Sequence, residues 1–285
     1  MSNSRPKHHH YVPQMLLRRF TDEDGKLHVF DKRRAENGVF CTNPKNVFQE
    51  RDLNTLENRD GSKDYTLEQD YSELESLVTP IVDKLIDFAL GNGALRLSSD
   101  ERATWDEFFS RQYSRAPDAY NRLGVIDDFD CQWGDAIEEF EQEFAPLSPE
   151  VKARLRDPSQ LERRLQHVKV KARSTSLTGV LEVLGKKGLM VGVIHDARKS
   201  FVIGDHPQIR MGQTGHLVAP STELWMPISH NVAVTPWGDA GFLAKTRVKQ
   251  SDVRKLNEQI FRNSNLIASR SPTLIRSIAK LRNNS

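Results

Sequence analysis

Residues 189–203 read LMVGVIHDARKSFVI, and at this point the chain changes period. Residues 189–194 and 201–203 are β-rich runs around the polar turn 195–200, a pattern that predicts a hairpin. Downstream, 223–226 and 231–234 extend the expected sheet. The chain then closes as helix (252–265), short apolar run (266–268) and helix (271–281). Ser271 and Pro272 fit an N-cap and a first helical residue.

Upstream the helical period rules. Residues 66–90 place Leu67, Leu74, Leu77, Val78, Ile81, Val82, Leu85 and Ile86 on one face, and Pro80 is expected to kink the helix. Gly91–Gly93 should end it. Ser98 or Ser99 caps the next helix, with Asp100 and Glu101 favourable in its first turn. Its core face is Trp105, Phe108, Phe109, Gln112 and Ala116, and it stops before Pro117. Helical patterns resume over 136–144 and 149–166. Nearer the start, residues 11–20 predict a short helix, 26–32 and 38–41 a hairpin, and 42–64 an irregular loop. The expected fold class is α+β, with an N-terminal helix and β-hairpin, a helical middle, and a C-terminal antiparallel sheet with helices. One composite domain over 1–285 is expected, in parts 1–64, 65–170 and 185–285.

The 285 residues are 37% apolar and 28% charged, enough for a buried core in a soluble chain. No run approaches the ~18 apolar residues that cross a bilayer, so no membrane partner is expected. MSNSRPKHHHYVPQ lacks the apolar stretch of a secretory signal. Two cysteines, Cys41 and Cys131, exclude a disulfide scaffold and a cysteine-built zinc site, and suit a cytoplasmic location. Charge is uneven. Residues 1–50 hold 9 Lys and Arg against 6 Asp and Glu, 51–150 hold 9 against 24, and 151–285 hold 23 against 9. Either the parts attract one another within the fold, or the basic C-terminal half faces a polyanion such as nucleic acid.

Four groups of residues could carry chemistry. Clustered imidazoles at His8, His9 and His10 suit metal ligation or acid–base work, although at most two of them can face one site. A solvated, flexible N-terminal segment is the alternative. Gly204-Asp205-His206-Pro207 puts Asp205 at a strand end, as a reactive carboxylate or as a turn residue bonding local N–H groups. Gln112 points with an apolar stripe and Arg115 lies at its edge, so Arg115 needs a carboxylate or a bound anion. Glu68 and Glu75, seven residues apart, share a helix face that reads most simply as solvated. No Gly-rich phosphate loop, GxSxG turn or HExxH motif is present.

These segments, taken in order, resemble an uncharacterised, mainly bacterial family. The resemblance rests on His9-His10-Tyr11-Val12-Pro13-Gln14 with Leu16-Leu17-Arg18-Arg19-Phe20, then Gln112, Arg115 and Pro117 as a Gln-x-x-Arg-x-Pro pattern. Gly204-Asp205-His206-Pro207 stands where the family has Ser-Asp-x-Pro, and Pro227-Ile228-Ser229 follows. Gly204 departs from the usual Ser. The resemblance implies one site assembled from separated segments. His-His-x-x-Pro is also similar to the opening of HNH nucleases, where a histidine activates water beside a divalent metal. An intervening helix and no downstream His at the right spacing depart from that motif.

The function expected from these residues is a hydrolase, a metal-dependent nuclease acting on phosphodiesters. His9, His10, Asp205 and Glu75 would hold a divalent metal ion. Gln112 and Arg115 would complete the catalytic set, Arg115 stabilising phosphate charge. Nucleic acid would bind the basic C-terminal half. The competing expectations are a non-catalytic binding module and a protein-targeting defence or toxin effector.

Overall fold

The computed structural model describes residues 7–58, 60–91, 94–122, 129–175, 177–211 and 222–284. Its N-terminal part begins with β1 (His8–His10) and the helical turn α1 (Gln14–Leu17), which tightens into a 3-10 turn ending at Phe20. The expected hairpin follows as β2 (Leu27–Asp31) and β3 (Val39–Thr42). Residues 42–64 are more ordered than their composition implies. They contain β4 (Gln49–Arg51), β5 (Leu56–Glu57) and β6 (Lys63–Asp64). β4 pairs antiparallel with β1, His9 standing opposite Glu50, so the histidines are a strand and not a free tail.

The helical middle opens with α2 (Thr66–Ala89), which runs through Pro80 as one element. Leu67, Leu74, Val78, Ile81, Val82 and Leu85 are buried on its inner face, whereas Leu77, expected in that stripe, is 63% exposed. The stripe is therefore narrower than the run of apolar residues implied. α3 (Ser99–Gln112) starts at a reciprocal cap: Ser98 Oγ accepts the Glu101 N–H, and the Glu101 carboxylate accepts the Ser98 N–H. α3 packs on α2. Trp105, Phe108 and Phe109 are all buried, with the tryptophan ring 6.1 and 6.0 Å from its two neighbours. α4 (Ala119–Arg122), α5 (Phe129–Glu143), α6 (Pro149–Leu155), α7 (Pro158–Ser174) and α8 (Thr178–Gly185) complete this part.

The C-terminal part corrects one expectation. β7 (Lys187–Val193) and β8 (Ile203–Gly204) are not partners. β7 belongs to a five-stranded sheet with β9 (Ile209–Met211), β10 (Glu223–Pro227), β11 (Val232–Asp239) and β12 (Leu243–Arg247), in the order β12-β7-β11-β10-β9. β12 lies parallel to β7 and the other pairs are antiparallel. After α9 (Gln250–Asn263), β13 (Leu266–Ser269) enters a second sheet between β2 and β8, in the order β3-β2-β13-β8. The turn over 195–200 thus carries the chain from one sheet to the other. α10 (Pro272–Ala279), capped by Ser271, packs on β2 and β13. One apolar cluster runs from Tyr11 through α2, α3 and both large sheets to Ile278, so an N-terminal hairpin and a C-terminal strand share one core. Among the described residues no helix is long and apolar enough to cross a membrane.

The two faces of the α2–α3 layer differ in what they contribute. Trp105→Ala should cost about 3–5 kcal/mol through a large cavity, lowering Tm by roughly 10 °C. Leu77→Ala should move Tm by no more than a degree or two, because an exposed site contributes within about 0.5 kcal/mol. Thermal denaturation followed by circular dichroism checks both, and equal shifts would contradict this assignment of the core.

Candidate functional site

Strand geometry sorts the three histidines. Successive residues of β1 point to opposite faces, so His9 is fully buried while His8 and His10 look the other way, into a cavity of about 430 Å³. The sharing pair is therefore His8 with His10, not His9 with His10. β1 is firmly seated. Tyr11 N–H donates to the Phe48 carbonyl and Asp52 N–H to the Lys7 carbonyl, each at 2.9 Å. Phe48 and Asp52, which bracket β4, both sit at φ 55°, a left-handed conformation that costs a non-glycine residue free energy.

His9 is committed to the fold. Its Nδ1 accepts the Asn54 N–H at 3.0 Å, which fixes the proton of a neutral ring on Nε2. Asn54 Nδ2 in turn donates to Glu68 Oε2 at 2.8 Å, and that oxygen lies 3.6 Å from His9 Nδ1. His10 is freer. Its Nδ1 is 3.5 Å from the Gln14 amide nitrogen, and its Nε2 is buried with no hydrogen-bond partner among the described residues. Burial lowers the His10 pKa below its ordinary value, against an opposing pull from the Pro44 carbonyl and Glu75. Burial acts in the other direction on Glu68, raising its carboxyl pKa against the Asn54 hydrogen bond and the positive charge of Arg115.

Glu68 and Glu75 come from one face of α2 and both line the cavity, with Gln14, Gln49 and Ser72 beside them and Lys7 and Lys45 also in the lining. Glu75 is held by Arg115, whose Nη2 donates to Glu75 Oε1 and, at 3.0 Å, to the His10 carbonyl. The Arg115 guanidinium lies 4.2 Å from the centre of the Tyr71 ring and is almost entirely buried. Arg115 therefore meets a carboxylate inside the protein and bridges Glu75 to the His10 backbone. Gln112, one turn earlier, is 1% exposed, and neither end of its amide has a hydrogen-bond partner among the described residues. It lines neither this cavity nor the larger one described below.

Asp205 is elsewhere. Its backbone N–H donates to the Leu266 carbonyl, and its carboxylate accepts the N–H groups of Asn265 at 3.1 Å and Leu266 at 3.3 Å. It clasps the end of β8 to the start of β13. Burial raises its pKa, offset by the neighbouring His206 and reinforced by Asp118. Among the described residues no group of three or more His, Cys, Asp and Glu side chains is placed to hold a metal ion. The expected ligand set of His9, His10, Glu75 and Asp205 thus does not form. His9 is turned inward, Glu75 faces Arg115, and Asp205 is spent on backbone N–H groups.

The segments do converge, but pairwise and through the middle one. Arg115 reaches the His10 carbonyl, and three residues later Asp118 Oδ1 lies 2.8 Å from His206 Nε2. Asn265 Nδ2 donates to the other Asp118 oxygen at 3.0 Å. Arg173, from the basic α7, is buried and bonds the carbonyls of Leu53 and Pro117 at 3.1 and 3.5 Å, locking the connecting segment. Sequence reasoning missed Asp118, Arg173 and Asn54, and took Glu68 for a solvated residue. The one available signal was Asp118's place directly after Pro117.

Gly204 also finds its reason. A Cβ there would overlap Ser264 Oγ and approach Ile260 Cγ2 to 2.9 Å. Ser264 Oγ accepts the His206 N–H at 3.4 Å and hydrogen-bonds Asp205. The hydroxyl that a serine would bring at position 204 is supplied from α9's end instead. Gly204→Ser should therefore overpack this joint by about 1–3 kcal/mol and lower Tm by several degrees. Adding Ser264→Gly should restore most of the loss, and a double variant no more stable than the single one would contradict the exchange.

No curated protein and no solved structure matches the chain. The model of a family described as "Protein of unknown function (DUF4238)" matches residues 8–272, from the first cavity histidine to the first residue of α10. Spanning nearly the whole length of the fold, this match shows that the chain belongs to the DUF4238 family.

Proposed function

We propose that the chain is a hydrolase whose active site is the cavity beneath β1, with His10 as general base and Glu68 as general acid. The observation that carries this reading is the opposed effect of burial on two groups lining one cavity. The imidazole is held towards its neutral form and the carboxyl towards its protonated form. Titratable neighbours whose environments push their pKa values in opposite directions are the pattern from which acid and base are assigned. Lys7 and Lys45 in the cavity lining favour an anionic substrate, and the 23 Lys and Arg of residues 151–285 favour a long one. A phosphodiester of nucleic acid fits both. In the reaction His10 takes a proton from the attacking water as its oxygen bonds phosphorus. The phosphorus–oxygen bond to the leaving group then breaks, and Glu68 gives that oxygen its proton. Arg115 and Glu75 hold His10 and the cavity floor in register.

A non-catalytic binding module is the second reading. It is favoured by the internal partners that His9, Glu75 and Arg115 already have.

Cleavage of labelled single-stranded RNA and DNA, with and without a chelator, separates the two. The hydrolase reading expects cleavage that survives chelation. His10→Gln and Glu68→Gln should each lower kcat/KM at least 100-fold, the scale of general acid–base catalysis, while keeping Tm within a few degrees. Binding without cleavage would select the second reading, and full activity in both variants would remove this site from the chemistry. The pH profile is a second check. Activity should fall on the acid side as His10 protonates, with a limb below the ordinary 6.5, and on the alkaline side as Glu68 ionises, with a limb above the ordinary 4.5.

A further inference from the structure

A second cavity lies on the other side of the segment that links Arg115 to Asp118. It measures about 510 Å³, within the range of small-molecule sites. Its apolar wall comes from the end of α3, from α8 and from β10, with Phe109, Val180, Leu184 and Leu224 among its residues. His206, Gln208 and Arg210 supply polar groups from the chain entering β9. The hydrolase reading above places none of them at its active site.

Three features of this wall point to one kind of ligand. First, Gln208 and Arg210 are two residues apart on an extended run, so their side chains leave the same face roughly 7 Å apart. Ile209 between them is buried on the opposite side. Second, Gln208 has lost one half of its amide. Its Nε2 donates to the Phe109 carbonyl, so Oε1 is an acceptor, and it is buried without a partner among the described residues. An orphaned acceptor of this kind calls for an N–H or O–H from a ligand. Third, the exposed Arg210 brings a permanent positive charge and a planar fork to the cavity, the geometry that matches a carboxylate. His206 stands beside them, its ring fixed by Asp118 at 2.8 Å, so the polar end of the cavity is pre-set.

We propose that this cavity binds an N-acylated apolar amino acid, either free or as the C-terminal residue of a peptide. The ligand's carboxylate pairs with Arg210, its amide N–H meets Gln208 Oε1, and its side chain lies against Val180, Leu184 and Leu224. Both sources present the same three groups.

Isothermal titration of the full chain with N-acetyl-L-phenylalanine, its methyl ester, and a tetrapeptide ending in free phenylalanine tests the assignment. The acid should bind at least tenfold tighter than the ester. Arg210→Gln should remove that difference and leave ester binding unchanged, since this exposed side chain is not needed for folding. Val180→Trp, which fills the cavity, should abolish binding of all three probes while thermal denaturation remains cooperative. A peptide bound tenfold tighter than the free acid identifies a chain terminus as the ligand, and equal affinities identify the free compound. Equal binding of acid and ester, an Arg210→Gln variant that still discriminates, or no binding at millimolar probe would overturn the proposal. Because neither His10 nor Glu68 is touched, the result is independent of whether the cavity beneath β1 hydrolyses anything.

Discussion

A guanidinium cannot shed its charge, so burying one forces the chain to surround it with partners. Arg115 imposes that requirement on this fold. Its partners are the Glu75 carboxylate, the His10 carbonyl and the face of Tyr71, from an N-terminal strand and a long helix. Without β1 lying across α2, one acceptor would be missing and the cation would be desolvated for little return. The cavity wall of His8 and His10 is thus a consequence of where Arg115 is buried. Removing one partner of such a buried charge is more damaging than replacing the whole set, which ties β1 to α2 more strongly than three strand residues could.

The same short segment faces two ways. Arg115 looks towards β1, and Asp118 looks towards His206 and Asn265. Arg173 grips the carbonyl of Pro117 between them and that of Leu53, next to the turn that His9 holds through Asn54. Two cavities therefore flank one braced connection, with charged groups from both sides anchored to it. Any shift of this segment would alter His10 and His206 together. That arrangement is a physical reason for residues spread from β1 to α9 to be held by one fold.

Much of the fold was legible where the signal is local. The apolar repeat of α2, the cap at Ser98 and the cap at Ser271 depend on residues within two turns of one another; both caps formed as their patterns implied, and the repeat did so apart from the exposed Leu77. The hairpin over 195–200 was not legible, because a polar turn between β-rich runs looks alike whether the strands pair or diverge into separate sheets. β1 was hidden for a related reason. Three histidines carry little strand propensity, and their order comes from pairing with residues about forty positions away. The site followed the same divide. Arg115's need for a carboxylate followed from its place on the stripe. That the carboxylate would be Glu75, and that Glu68 would be enclosed, depended on what lies over α2. Asp205 could be a reactive group or a turn residue bonding local N–H groups; its carboxylate instead bonds the N–H groups of Asn265 and Leu266, distant in sequence, which neither local pattern could reveal.

The strain beside β4 bears on how this cavity can act. Left-handed Phe48 and Asp52 each cost free energy that the surrounding bonds must offset. Those bonds, from Tyr11 and to Lys7, are the ones that seat β1. A histidine on a free terminal segment would lose most of its entropy on meeting a substrate. On a seated strand that loss is taken during folding, and in the proposed hydrolase the imidazole would meet its substrate already in place. Seating also explains how His10 is buried enough for its pKa to fall while its cavity stays open. Gln14 and the Pro44 turn lie against the ring, and His10 shares the cavity lining with Glu68. Under the proposed reading, burial lowers the His10 pKa while the strand holds the ring at the cavity wall, and a mobile tail could not do both.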